Sequence, residues 1–139
     1  MLAKEIMTKK LITINPNNTV FDACLKYRDN KVGCLLVTDN ESCIGIVTER
    51  DLIERTMCFH KDIDKTKVSE IMSSDIITIQ SLETLEKAIG IMNKFKIKKL
   101  PVISDKTVVG IITITDIARA RPELTKRFMD SWVKPQWDD

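Results

Sequence analysis

Two short stretches hold the residue types best suited to gripping a small polar ligand. Gly45-Ile46-Val47-Thr48-Glu49-Arg50-Asp51 and Gly110-Ile111-Ile112-Thr113-Ile114-Thr115-Asp116 both read G-I-x-T-x-x-D, 65 residues apart. The apolar run ahead of each Thr has strand character, and Thr-x-x-Asp reads as the opening of a helix. A threonine hydroxyl beside the first free N–H groups of a helix suits an oxyanion such as phosphate. An ionised aspartate only accepts, so it can take both hydroxyls of a ribose. The same two residues also spell a capping box, in which Thr and Asp serve the helix alone.

Other chemistries find little support. The four cysteines, Cys24, Cys34, Cys43 and Cys58, all lie in the first half, without a C-x-x-C, and the sole histidine is His60. That is not the spacing of a zinc site. No nucleophile has an adjacent base, and neither paired carboxylates nor a glycine-rich phosphate loop is present, so binding without turnover is expected. A net charge of +2 is too small to argue for nucleic acid or a membrane as the main partner. Lys96, Lys98, Lys99, Arg119, Arg121, Lys126 and Arg127 supply basic charge with little aromatic interleaving, which leaves nucleic-acid binding the weaker alternative. No apolar run approaches a membrane span, and Met1-Leu2-Ala3-Lys4-Glu5 does not begin a signal peptide, so a cytoplasmic location is expected.

The elements that must position these residues emerge when the chain is slid against itself. At an offset of 65 residues, Ile6–Leu52 aligns with Ile71–Ile117 over 47 consecutive pairs without a gap. Identities recur throughout, among them Ile6/Ile71, Met7/Met72, Thr13/Thr78, Thr19/Thr84, Lys31/Lys96, Gly45/Gly110, Thr48/Thr113 and Asp51/Asp116. This is an internal duplication, with too few copies for a solenoid. At 139 residues the chain is one domain's worth, with a sizeable core if the repeats share it. Cys24 and Cys43 align with Ile89 and Val108 and read as small core hydrophobes, whereas Cys34 replaces Lys99.

Each copy reads as β-α-β-β-α. Strands are predicted at 11–14 and 76–79 from their β-branched content. Thr19 and Thr84 open helices whose apolar residues (Val20, Ala23, Cys24 and Tyr27; Leu85, Ala88, Ile89 and Met92) fall at i, i+3, i+4 and i+7. Two strands joined by a polar turn follow, at 34–38 and 43–48, then at 100–104 and 108–113. Closing helices are predicted over 49–57 and 114–120. The expected organisation is a first repeat at 1–58, a linker at 59–67, a second repeat at 68–121 and a partly helical tail at 122–139. In that tail Leu124, Phe128, Met129 and Trp132 are at helical spacing, with Trp137 near the end.

The order of these motifs resembles the CBS domain, and the tandem resembles a CBS pair, or Bateman module, standing alone. The resemblance rests on Ile71-Met72-Ser73, Ile76-Ile77-Thr78-Ile79, the helix from Thr84, Lys98-Lys99-Leu100-Pro101-Val102 and Gly110–Asp116. In the first repeat it rests on Ile6-Met7-Thr8, the stretch from Leu11 to Pro16, and Gly45–Asp51. It implies an α+β fold of the CBS type, with two β-α-β-β-α repeats about a pseudo-two-fold axis. It also implies clefts that bind AMP, ADP or ATP, less so S-adenosylmethionine or NAD, with no cofactor required. One cleft would join Thr113 and Asp116 to Ile12, Val32 and Gly33. The other would join Thr48 and Asp51 to Ile77, Ile97 and Lys98. The isoleucines and Val32 would wall an adenine slot, and Lys98, Lys99 and Arg50 are the candidate cations for a polyphosphate. Gly33 stands where the second repeat has Lys98, so the clefts should differ in charge.

The implied role is that of a regulatory sensor, a homodimer through its helices that changes conformation or the binding of an unidentified regulated protein. A ligand-free interaction module acting through its tail is the alternative. Asp116, at a helix start, is expected to lie outside the core.

Overall fold

The computed structural model describes residues 1–124. The tail residues Phe128, Met129, Trp132 and Trp137, with Lys126 and Arg127, lie outside the described residues. The elements run α1 (Ala3–Ile6), β1 (Thr13–Ile14), α2 (Val20–Asn30), β2 (Cys34–Asp39), β3 (Ser42–Thr48) and α3 (Glu49–Glu54). After a 3-10 turn at Met57–Phe59 come α4 (Val68–Ile71), β4 (Ile79–Gln80), α5 (Leu85–Phe95), β5 (Lys99–Ser104), β6 (Thr107–Thr113) and α6 (Ile114–Ala120). The predicted α+β class and the two β-α-β-β-α repeats are present.

Local chemistry sets the element ends. Thr19 accepts from the Asp22 backbone N–H while the Asp22 carboxylate accepts from the Thr19 N–H, a full capping box opening α2. Thr84 accepts from the Lys87 N–H at the same point of α5. Both helices end on a lysine in the left-handed region, Lys31 (φ 51°) and Lys96 (φ 55°), whose N–H reaches back to the Tyr27 and Met92 carbonyls. That closing geometry usually falls to glycine. Three predicted spans are corrected. Strand β1 pairs only at Thr13–Ile14, and β4 forms at Ile79–Gln80 because Ile76 is drawn into a local turn onto the Ser74 carbonyl. Helix α3 stops at Glu54 rather than 57, with the Thr56 hydroxyl donating back to the Leu52 carbonyl.

Each sheet has three strands in sequence order, β1-β2-β3 and β4-β5-β6. The first pair is parallel and the second antiparallel, with an irregularity in register at Val37/Thr38 and again at Val102/Ile103. By packing, Lys10–Ile76 forms one compact unit, and Met1–Lys9 with the described residues from Ile77 onward forms the other. Each repeat's strands are therefore completed by the leading helix of the other repeat. Val68 and Ile71 of α4 are fully buried in a core with Val20, Ala23, Leu35 and Val47. Ala3 of α1 is buried with Leu85, Ala88, Met92, Leu100, Ile112 and Ile117.

Backbone bonds fasten these helices. Thr8 exchanges N–H and carbonyl with Ile111, and Ser73 does the same with Ile46. Residues 59–67 are fastened too, since the Ile63 and Thr66 carbonyls accept from Phe21 and Val20. The motif glycines are explained here. A Cβ at Gly110 would lie 2.7 Å from Cγ of Met7, and one at Gly45 would lie 2.9 Å from Cγ of Met72.

Candidate functional site

In each sheet the starts of the parallel pair and the end of the antiparallel third strand necessarily share one edge. In the Lys10–Ile76 unit this gathers Ile12 and Val32-Gly33, just ahead of β1 and β2, with Thr48, Arg50 and Asp51, where β3 passes into α3. Cys34 pairs with Thr48, and the Ile12 carbonyl accepts from the Leu36 N–H at 3.0 Å. In the other unit it gathers Ile77, Ile97, Lys98 and Lys99 with Thr113 and Asp116, and Lys99 is paired directly with Thr113. Ile12, Val32, Ile77 and Ile97 are half-buried, the state that lets an apolar side chain wall a slot, whereas Gly33, Lys98 and Arg50 are exposed. Arg50 donates to Glu54 at 2.7 Å on the surface of α3.

The Thr-x-x-Asp motifs are built to the same plan. The Thr48 and Thr113 hydroxyls accept from the backbone N–H of Asp51 (3.3 Å) and Asp116 (3.2 Å). In return Oδ2 of each aspartate accepts from the backbone N–H of its Thr at 2.9 Å and from the Thr hydroxyl at 3.1 Å. Capping is thus an observed role of both pairs. Each carboxylate is also buried, Asp51 to 9% exposure and Asp116 to 5%, so the expectation that Asp116 lies outside the core is corrected. The cause is α1, which lays Thr8 over it.

The second oxygen is where the two motifs part. Oδ1 of Asp116 accepts from the Thr8 hydroxyl at 2.8 Å. Oδ1 of Asp51 instead faces Nε of Arg55 at 3.6 Å, and the same guanidinium donates to the Ile71 (3.2 Å) and Met72 (3.1 Å) carbonyls. An ionised carboxylate offers about four lone-pair positions. With three bonds on Asp116 and two plus an ion pair on Asp51, each keeps accepting capacity for a hydroxyl donor.

Thr8 and Arg55 escaped the sequence reading. Arg55 carried a usable signal, standing four residues after Asp51 on one helix. Thr8 carried only its hydroxyl match to Ser73 in the repeat. Elsewhere in the unit, burial pushes the Cys24 and Cys43 thiols up and so away from thiolate reactivity. Burial also raises the Tyr27 phenol, whose hydroxyl donates to the Val47 carbonyl. Among the described residues no cluster of His, Cys, Asp or Glu could hold a metal ion.

The chain is similar to a CBS domain-containing protein of Bacillus subtilis, 31% identical over 83% of this chain and 81% of that one. It is similar to an uncharacterized protein of Methanocaldococcus jannaschii, 31% identical over 86% of this chain, and spans 66% of that protein. Among solved structures, the hexameric CBS-CP12 protein of bloom-forming cyanobacteria superposes with a TM-score of 0.75 at 32% identity, over 84% of this chain and 66% of that one. The CBS domain family matches twice, at residues 3–57 and 68–123. Those two matches carry both Thr-x-x-Asp motifs, and the chain belongs to the CBS domain family as a tandem pair.

Proposed function

We propose that this CBS pair is a regulatory module that binds an adenine nucleotide of the AMP, ADP or ATP class and signals it by a change of conformation or of partner binding. One observation carries the reading. In each sheet a buried aspartate with spare accepting capacity follows the third strand at the end where the first two strands begin, and a half-buried isoleucine, Ile12 or Ile77, precedes the first of them. The two aspartates, Asp51 and Asp116, suit ribose hydroxyls, the half-buried Ile12, Val32, Ile77 and Ile97 suit an adenine ring, and the hydroxyls of Thr48 and Thr113 suit phosphates. Lys98, Lys99 and Arg50 are the cations for a longer phosphate chain. Signalling requires that the nucleotide favour one conformation over another, since equal affinity for both shifts nothing.

The test is a thermal-shift screen of AMP, ADP, ATP, S-adenosylmethionine and NAD on the full chain and on Asp51→Asn and Asp116→Asn. A nucleotide at about 100 times its dissociation constant stabilises by about 2.7 kcal/mol, several degrees for a chain of this size. Loss of a ribose hydrogen bond should weaken binding by about 1–3 kcal/mol in one variant. Asparagine is used because removing the whole buried carboxylate would itself cost fold stability. Absence of any shift in the parent chain overturns the reading.

A further inference from the structure

A pocket of about 800 Å³ opens in the unit that contains α1, lined by Met1, Glu5 and Ile6 and by Asp116, Arg119 and Ala120 of α6. Its counterpart in the duplicated half shows what such a space holds. At the repeat offset Ala120 corresponds to Arg55, Asp116 to Asp51, and Ile6 and Met7 to Ile71 and Met72. There the Arg55 guanidinium faces the Asp51 carboxylate and donates to both carbonyls. Ala120 has no side chain to do the same. The Asp116 carboxylate, 5% exposed, has hydroxyl and backbone N–H donors, but no ion pair to it occurs among the described residues.

A buried charge left without a counter-ion is costly. The lining also holds the Glu5 carboxylate, which accepts from the Leu2 N–H, together with Arg119 and Met1. The pocket therefore presents a buried carboxylate, Asp116, at the repeat position where Asp51 is matched to a guanidinium. The planar fork of a guanidinium distinguishes arginine from lysine.

We propose that this pocket binds a guanidinium group supplied from outside the unit, seated against Asp116 and the end of α1 as Arg55 is seated against Asp51 and the end of α4. The guest is a free guanidino compound or an arginine side chain of a protein segment; the head group is common to both. The site is separate in chemistry from the nucleotide reading, although Asp116 serves both, so the two must be tested with different probes.

Ethylguanidinium is titrated at millimolar concentration into the full chain, with ethylurea as the neutral isostere, following backbone amide shifts by NMR. Resonances of α1 and α6 should move with ethylguanidinium and not with ethylurea. Ala120→Arg should weaken the probe at least tenfold by filling the pocket from within, while Arg55→Ala should open a second site of the same kind, with shifts in α4 and α3. A peptide with one central arginine distinguishes the sources. Tighter binding than the small probe assigns the pocket to a protein segment, and equal binding assigns it to the head group alone. The proposal is overturned by equal responses to the two small probes, by no response, or by an unchanged response in Ala120→Arg. A chain that binds no nucleotide yet passes this test loses only the earlier reading.

Discussion

Gly110 and Gly45 have no positive φ, so their missing side chains are a matter of room rather than of backbone conformation. Met7 lies across the first and Met72 across the second, with Cβ as well as Cγ in the way, and the whole methionine would have to move. Gly110→Ala should therefore cost about 1–3 kcal/mol, the usual range for overpacking, read by urea denaturation. Adding Met7→Ala removes the obstacle, so the pair should cost less than the sum of the two changes. Additive costs would mean that the methionine is not the obstacle. Residues three apart were legible in the sequence: Thr48 with Asp51, and Thr113 with Asp116, could be read as capping boxes from type and spacing. The bond from Thr8 to Asp116, 108 residues apart, was not legible, because no local period links residues that only packing brings together. The double reading of the motif, cap or ligand grip, persists in the fold. The aspartates do the first and keep capacity for the second.

At the scale of elements, the two hairpins repeat an unusual choice. Asn40-Glu41 and Asp105-Lys106 form two-residue loops with positive φ at every position, 49° and 68° in the first, 50° and 68° in the second. This is the turn that favours Asn-Gly or Asp-Gly, since its twist matches that of the strands. Asn40 and Asp105 suit the left-handed region, but Glu41 and Lys106 sit there against a steric cost. Glu41→Gly and Lys106→Gly should each stabilise the protein by about 0.5–1 kcal/mol, the relief being partly offset by the flexibility of glycine when unfolded. Thermal unfolding reads the effect, and a lowered midpoint would show that the side chains contribute more than their strain costs. The polar turns and the strands beside them were legible because alternation and turn residues are local. The ends of β1 and β4 were not, because β-branched residues mark strand tendency while a ladder needs a partner at each step.

At the scale of the molecule, the duplication was plain at a fixed offset, and the helix exchange between the repeats was not. A repeat's own pattern says that its leading helix is amphipathic, and says nothing of which sheet it covers. Lys10–Ile76 is contiguous and contains α4, so a fragment of those residues should unfold cooperatively. A fragment ending at 66 lacks Val68 and Ile71, both fully buried, and should not. Circular dichroism against urea distinguishes the two, and equal cooperativity would show that α4 is dispensable to that core.

The same exchange has a consequence on the ribosome. Synthesis runs from the N-terminal side at about 5–20 residues per second. The unit Lys10–Ile76 has all its sequence once Ile76 has emerged. Met1–Lys9 is made before any of it, yet Ile111, the strand residue that Thr8 pairs with, and Asp116, which the Thr8 hydroxyl reaches, are made only after it. Until those residues emerge, the Met1–Lys9 segment lacks the strands it pairs with. Residues made before either sheet settle only after both sheets' strands exist.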